Sequence, residues 1–110
     1  GLMCCIRYLV SAHKGFGACV DFNGHLLRAQ GMTDEELVQL KEDPRTAPIE
    51  DRERELLAFV IESVLDPTSA TAEKIAALKE LGWTESDIVD ASYHGAMLLY
   101  VGRLLQIFDG

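Results

Sequence analysis

The chain has too few cysteines, and an odd number of them, for a disulfide-stapled secreted domain. Three occur in 110 residues, two adjacent as Cys4 and Cys5, so no even-numbered framework can form. That usage points to a cytoplasmic address. Proline is also sparse, at three residues, and 48% hydrophobic with 25% charged residues excludes disordered and collagen-like classes. Basic charge is in short supply too. Ten Lys and Arg against 18 Asp and Glu give a formal net charge of −8, which argues against nucleic acid and anionic membrane partners, since both need clustered cations. No apolar run is long enough to span a bilayer: "GLMCCIRYLV" is broken by Arg7 and "AMLLYVGRLLQIF" by Arg103, short of the roughly 20 residues required. No secretory signal with a small-residue cleavage site is present. The chain opens on Gly1 rather than methionine, which suggests either a tag remnant or a trimmed start with residues upstream missing.

What is there is apolar residues at helical spacing almost throughout, with no period-two alternation of a half-buried strand. The expectation is one all-α domain over residues 1–110, with about six helices around a single core. A first helix spans about Leu2 to Ala12, and the two glycines of "HKGFG" permit a tight turn. A second runs from about Ala18 to Gln30. Gly31 suits a left-handed C-cap, and "TDEE" reads as a capping box in which Thr33 caps a third helix and Glu36 reaches back, the helix ending near Asp43. Pro48 suits the first turn of a fourth helix, whose buried stripe is Leu57, Val60, Ile61 and Val64, and "DPTSAT" ends it. A fifth, about Ala72 to Leu81, presents Ile75, Leu78 and Leu81. The sixth begins after Thr84 and runs to about Phe108. A weak repeat relates "LLRAQGMTDEELV" to "ALKELGWTESDIV", with Gly31 and Gly82 at equivalent positions, so two helix-turn-helix units build the domain. The second helix of each unit opens on acids, Asp34 to Glu36 and Glu85 with Asp87, which suit a helix dipole and repel phosphates, against a DNA-binding role.

The residues that carry chemistry gather in "FGACVDFNGHLL". Cys19 falls in the first turn of the second helix, where free backbone N–H groups and the dipole favour a thiolate. Asn23, one turn later on the same face, is in reach of the sulfur. The competing reading is a buried structural cysteine, with Phe22 and Leu26 on that face. Cys4 and Cys5 diverge by about 100° and are poorly placed to bridge each other; one of them would approach Cys19 if the first two helices pack antiparallel, and the alternative is apolar filler. His13 sits at a helix end, and His25 points away from Asn23 and Cys19. His94, in the apolar sixth helix, either lines a pocket or is a satisfied interior histidine. No HExxH or paired CxxC spacing signals a metal, and no glycine-rich phosphate loop is present. Ala91, Gly95 and Gly102 leave a smooth groove on the sixth helix for close packing within one chain or between subunits.

"GACVDFNGHLLRAQGMTDEEL", "ERELLAFVIESVL" and "AALKELGWTESDIVDASYHGAMLLYVGRLL" together resemble the carboxymuconolactone decarboxylase family, which includes alkylhydroperoxidase D-like proteins. The resemblance covers about residues 2 to 108. It implies an all-helical bundle that assembles into homo-oligomers, often trimers or hexamers, with a dimer as the alternative. The redox members carry C-x-x-C-x-x-x-H on the second helix: the second cysteine attacks peroxide, the first resolves the disulfide, and the histidine with an upstream glutamate relays protons. Anchored on Gly31, that motif falls here on Phe16, Cys19 and Asn23, and the glutamate position falls near Cys4. The attacking cysteine is kept as Cys19. Phe16 cannot form a disulfide, and Asn23 cannot take a proton near neutral pH. Placing the motif on "IRYLVSAH" instead puts Ile6 and Leu9 at the cysteines and leaves too long a gap to Gly31.

Three functions follow from the resemblance. One is a thiol oxidoreductase reducing a small-molecule peroxide, with Cys19 as nucleophile and Cys4, Cys5 or an external reductant resolving it, Phe16, Phe22 and His94 lining the substrate pocket, and no cofactor or metal. Another is a decarboxylase or lactone-type enzyme using His25, His94 or Tyr93 as acid or base. The last is a non-catalytic oligomeric protein whose site has decayed into core.

Overall fold

The computed structural model describes residues 1–109. Helices account for almost all of them, and no strand occurs among the described residues. The helices are α1 (Leu2–Lys14), α2 (Gly17–Ala29), α3 (Asp34–Glu42), α4 (Asp51–Leu65), α5 (Ala72–Glu80) and α6 (Glu85–Asp109), with short 3-10 turns at Pro44–Thr46 and Pro67–Ser69. The all-α expectation holds.

The repeat seen in the sequence is reproduced bond by bond. Gly31 and Gly82 take positive φ of 103° and 97°, a conformation glycine adopts without the Cβ penalty of other residues. The following residue then reaches back over the helix end: Met32 N–H donates to Leu27 O, and Trp83 N–H to Leu78 O. Thr33 and Thr84 close the next helices with reciprocal capping boxes, Thr33 with Glu36 and Thr84 with Asp87. Asp43 and Asp66 repeat a smaller device, each accepting from the backbone N–H two residues on across a proline.

Three details of α4 and α5 differ from the sequence reading. α4 begins at Asp51, not at Pro48, because the Glu53 carboxylate accepts from the Glu50 backbone N–H at 3.1 Å and sets the start there. Its buried face is also wider than the expected stripe, running from Leu56 through Ile61 while Val64 is only half-buried. On α5 only Leu78 is buried; Leu81 lies past the helix end and is exposed.

α1 is the central helix. It packs on α2, α4 and α6, and so buries Cys4, Cys5, Ile6, Tyr8, Leu9, Val10 and Ser11 in nearly unbroken succession. A helix apolar on most faces has no other place than the middle of a bundle. Ile6, Leu9, Leu27, Leu40, Leu56, Leu57 and Val60 are almost fully buried, each contributing about 1.5–3 kcal/mol of transfer free energy. Close approach to α6 is made at two glycines. A Cβ on Gly95 would stand 2.9 Å from Val64 Cγ2, and one on Gly102 would stand 2.2 Å from the Phe16 ring. The second contact positions the site described next.

Candidate functional site

The turn between α1 and α2 is built from Gly15, in left-handed conformation at φ 71°, and Phe16, whose N–H returns to Ser11 O at 3.0 Å. Phe16 thereby becomes the residue preceding α2, with its ring buried flat on Gly102 of α6. No side chain caps this helix start, so Cys19 lies in a first turn whose N–H groups lack intrahelical partners. Cys19 is 7% exposed and belongs to the walls of two clefts. One, of about 260 Å³, runs past Phe16, Gly17 and Gly102. The other, of about 390 Å³, lies between α1, α2 and α6, past Arg7, Phe22, Asn23, Met97 and Val101.

Asn23 is 3% exposed and engaged through both its amide nitrogen and its amide oxygen. Its Nδ2 donates to the Cys19 carbonyl at 2.9 Å, and its Oδ1 accepts from Arg7 Nε at 3.1 Å and from the Cys4 thiol at 4.0 Å. Cys4 also donates to the Asn23 carbonyl at 3.7 Å. Asn23 therefore ties α1 to α2, and its amide goes to the Cys19 backbone and not to the sulfur. A side chain that both donates and accepts is needed at this buried position, which the amide supplies in one planar group.

The electrostatics of the thiols run against the sequence expectation. Burial pushes the Cys19 thiol above its ordinary value, and among the described residues no hydrogen bond reaches its sulfur. Desolvation of the charged form wins over the favourable helix end. Cys5 lies about 100° further round α1 than Cys4, beside Leu27, Met32 and Ile49, and is pushed up to about 11 by burial, aided by Cys4 and Glu53 and opposed by the N-terminal ammonium. All three cysteines are free.

The other anticipated residues divide. Phe22, 63% exposed, stands at the rim of the larger cleft with Cys19. His94 is half-buried on α6 outside both clefts, its ring edge-on to Tyr93 and its Nδ1 buried without a partner. His13 and His25 are exposed. Among the described residues no group of His, Cys, Asp and Glu could hold a metal ion. No helix there is long and apolar enough to cross a membrane.

Sequence reasoning passed over Arg7, which served only to break an apolar run. Its signal was there: the one charged residue between Leu2 and Ala12, one turn after Cys4 in a run that is otherwise mostly apolar. No family model matches the chain, and no curated protein or solved structure gives a significant match. The local geometry therefore carries the functional reading.

Proposed function

We propose that the chain is an alkylhydroperoxidase D-like member of the carboxymuconolactone decarboxylase family, a homo-oligomeric thiol oxidoreductase that reduces a hydroperoxide at Cys19. The observation that carries this reading is the position of Cys19: in the uncapped first turn of α2, on the shared wall of two clefts. In the reaction the Cys19 thiolate attacks one peroxide oxygen and the O–O bond breaks. The departing alkoxide takes a proton to become an alcohol, and the sulfur is left as a sulfenic acid. A low-molecular-weight thiol condenses with it, releasing water, and a second one frees Cys19 as the external disulfide forms. Phe16, at the resolving position, supplies no thiol, and the external thiol takes that part.

The raised Cys19 value sets the pH dependence. Burial holds the Cys19 thiol above its ordinary value, so the protonated form dominates near neutral pH. Iodoacetamide labelling of Cys19 and hydroperoxide consumption both rise as the pH is raised into the alkaline range, because only the thiolate reacts. The test is hydroperoxide consumption in excess thiol at pH 8.5 by wild type and Cys19→Ser. Loss of turnover in the variant supports the reading; equal turnover in both sinks it.

A second reading is favoured by the same raised thiol together with the buried Phe16 ring: a family member that has lost redox activity and acts as a non-catalytic oligomer. It expects no Cys19-dependent turnover at any pH. Oligomerisation is common to both readings and is supported by α6, whose outer face exposes Val89, Tyr93, Tyr100, Leu104 and Ile107.

A further inference from the structure

We propose that the larger cleft is half of an interface between two copies of this chain, with α6 of each copy seated in the groove that the other forms between its α1, α2 and α6. The inference deepens the oligomeric part of the function proposed above and does not depend on turnover at Cys19. Two apolar surfaces run into one another here. At 100° per residue the exposed stripe of α6 ends at Leu104, and Met97 and Val101, on the wall of the cleft, follow about 20° and 60° further round the helix. Stripe and groove are therefore neighbours on one helix, a ridge beside a hollow. Phe22 of α2, 63% exposed, stands on the hollow's other side.

Size and charge select the partner. Tyr93, Tyr100, Leu104, Ile107, Phe108 and Phe22 are all exposed, and together they offer on the order of 800 Å² of apolar surface, an aromatic side chain alone carrying about 150–250 Å². One partner contributes about 800 Å² to a stable protein interface, whereas the largest apolar patch of a typical monomer is about 300–600 Å². A net charge of −8 makes two copies repel each other wherever their acidic faces meet. From Ala91 to Phe108 there is no Asp or Glu, with Arg103 as the one Lys or Arg, and no acid lines the cleft. On this face a second copy approaches without that repulsion. A two-fold axis satisfies ridge and hollow at once, because each copy gives its ridge to the other's hollow, the self-complementary arrangement of most dimers. Asn23, on the hollow's wall, already bonds Arg7 and the Cys19 carbonyl, so neither of its amide atoms needs a new partner when the groove closes. With the groove covered, the smaller cleft past Phe16 and Gly102 is the approach left to Cys19.

Sedimentation and amide chemical shifts test this in the Cys19→Ser protein, where Cys19 chemistry is removed. The chain is expected to sediment as a dimer, and dilution is expected to move the amides of Ala18, Phe22 and Tyr100 together, on one dissociation curve. Phe22→Glu and Val101→Glu each raise the dimer Kd about tenfold or more by placing an acid in the hollow, with helix content kept in circular dichroism. Phe22 is exposed on α2, so its substitution leaves the core in place, and where one variant fails to fold the other decides. A monomer at every accessible concentration overturns the proposal, and so does a trimer. An assembly whose Kd ignores the folded variants, and whose dilution leaves Ala18 and Phe22 unmoved, overturns it as well: copies then meet on the α6 stripe alone, and the oligomeric reading stands while the closed cleft falls.

Discussion

Gly102 and Phe16 form one contact from two distant parts of the chain, and each explains the other. The aromatic ring fills the position that the family resemblance gives to a resolving cysteine, and it fits there only because α6 has no Cβ at Gly102. Gly102→Ala therefore drives the Phe16 ring out of its place and costs about 1–3 kcal/mol in urea unfolding, as overpacking does. The cost shrinks in a Phe16→Ala background, where the clashing ring is gone, and a double-mutant cycle reads the coupling. Equal costs in both backgrounds would remove Phe16 as the cause. Cys5 supports a separate prediction on pH. Its folded value is raised from 9.0 to about 11, so its contribution is fully present below pH 9. Between pH 9 and about 11 the unfolded chain releases the Cys5 proton while the folded chain keeps it, and stability falls by up to about 2.7 kcal/mol. Measured against Cys5→Ala, the stability advantage of the wild type narrows across that window and is constant from pH 7 to 8.5. A constant difference up to pH 11 would contradict it.

At the scale of elements, the two turns that follow α2 and α5 work alike, and their parts can be exchanged for prediction. Thr33→Ala and Thr84→Ala each remove one half of a capping box and are expected to cost about 0.5–2 kcal/mol. Thermal unfolding followed by circular dichroism checks both, and a stability unchanged in either would show that its helix start is held by packing alone. These turns were readable because their chemistry is local: glycine for positive φ, threonine for the N–H groups, an acid three residues on. The start of α4 was misread for the same reason in reverse. Pro48 is a permissible helix opener, but the bond that fixes the start is a carboxylate return from Glu53 to Glu50, and an acid-rich stretch such as "IEDRERE" offers several such bonds. Leu81 was placed on a buried face by spacing, whereas the helix ends at Glu80 and the spacing no longer applies beyond it.

At the scale of the whole molecule, α6 is apolar on two sides. Ile88, Ala91, Gly95, Leu98 and Gly102 face the bundle, while Val89, Tyr93, Tyr100, Leu104 and Ile107 stay exposed within an arc of roughly 60° at 100° per residue. An exposed apolar stripe of that length is the kind of surface an association would cover. The protein is expected to sediment as an oligomer, and Tyr100→Lys with Ile107→Lys shifts it to monomer with its helix content intact. A wild type that is monomeric at every accessible concentration would refute this. By itself the sequence determined the all-α class, the six helices, the paired turns and the helix that carries Cys19, since spacing, caps and glycines act within a few residues. Only the tertiary structure decided what the site is made of. Burial raised the Cys19 thiol, and Asn23 was drawn into a bridge between α1 and α2 that also holds Arg7. Desolvation and charge pairing depend on which surfaces meet in space, and no spacing rule along one helix contains that information.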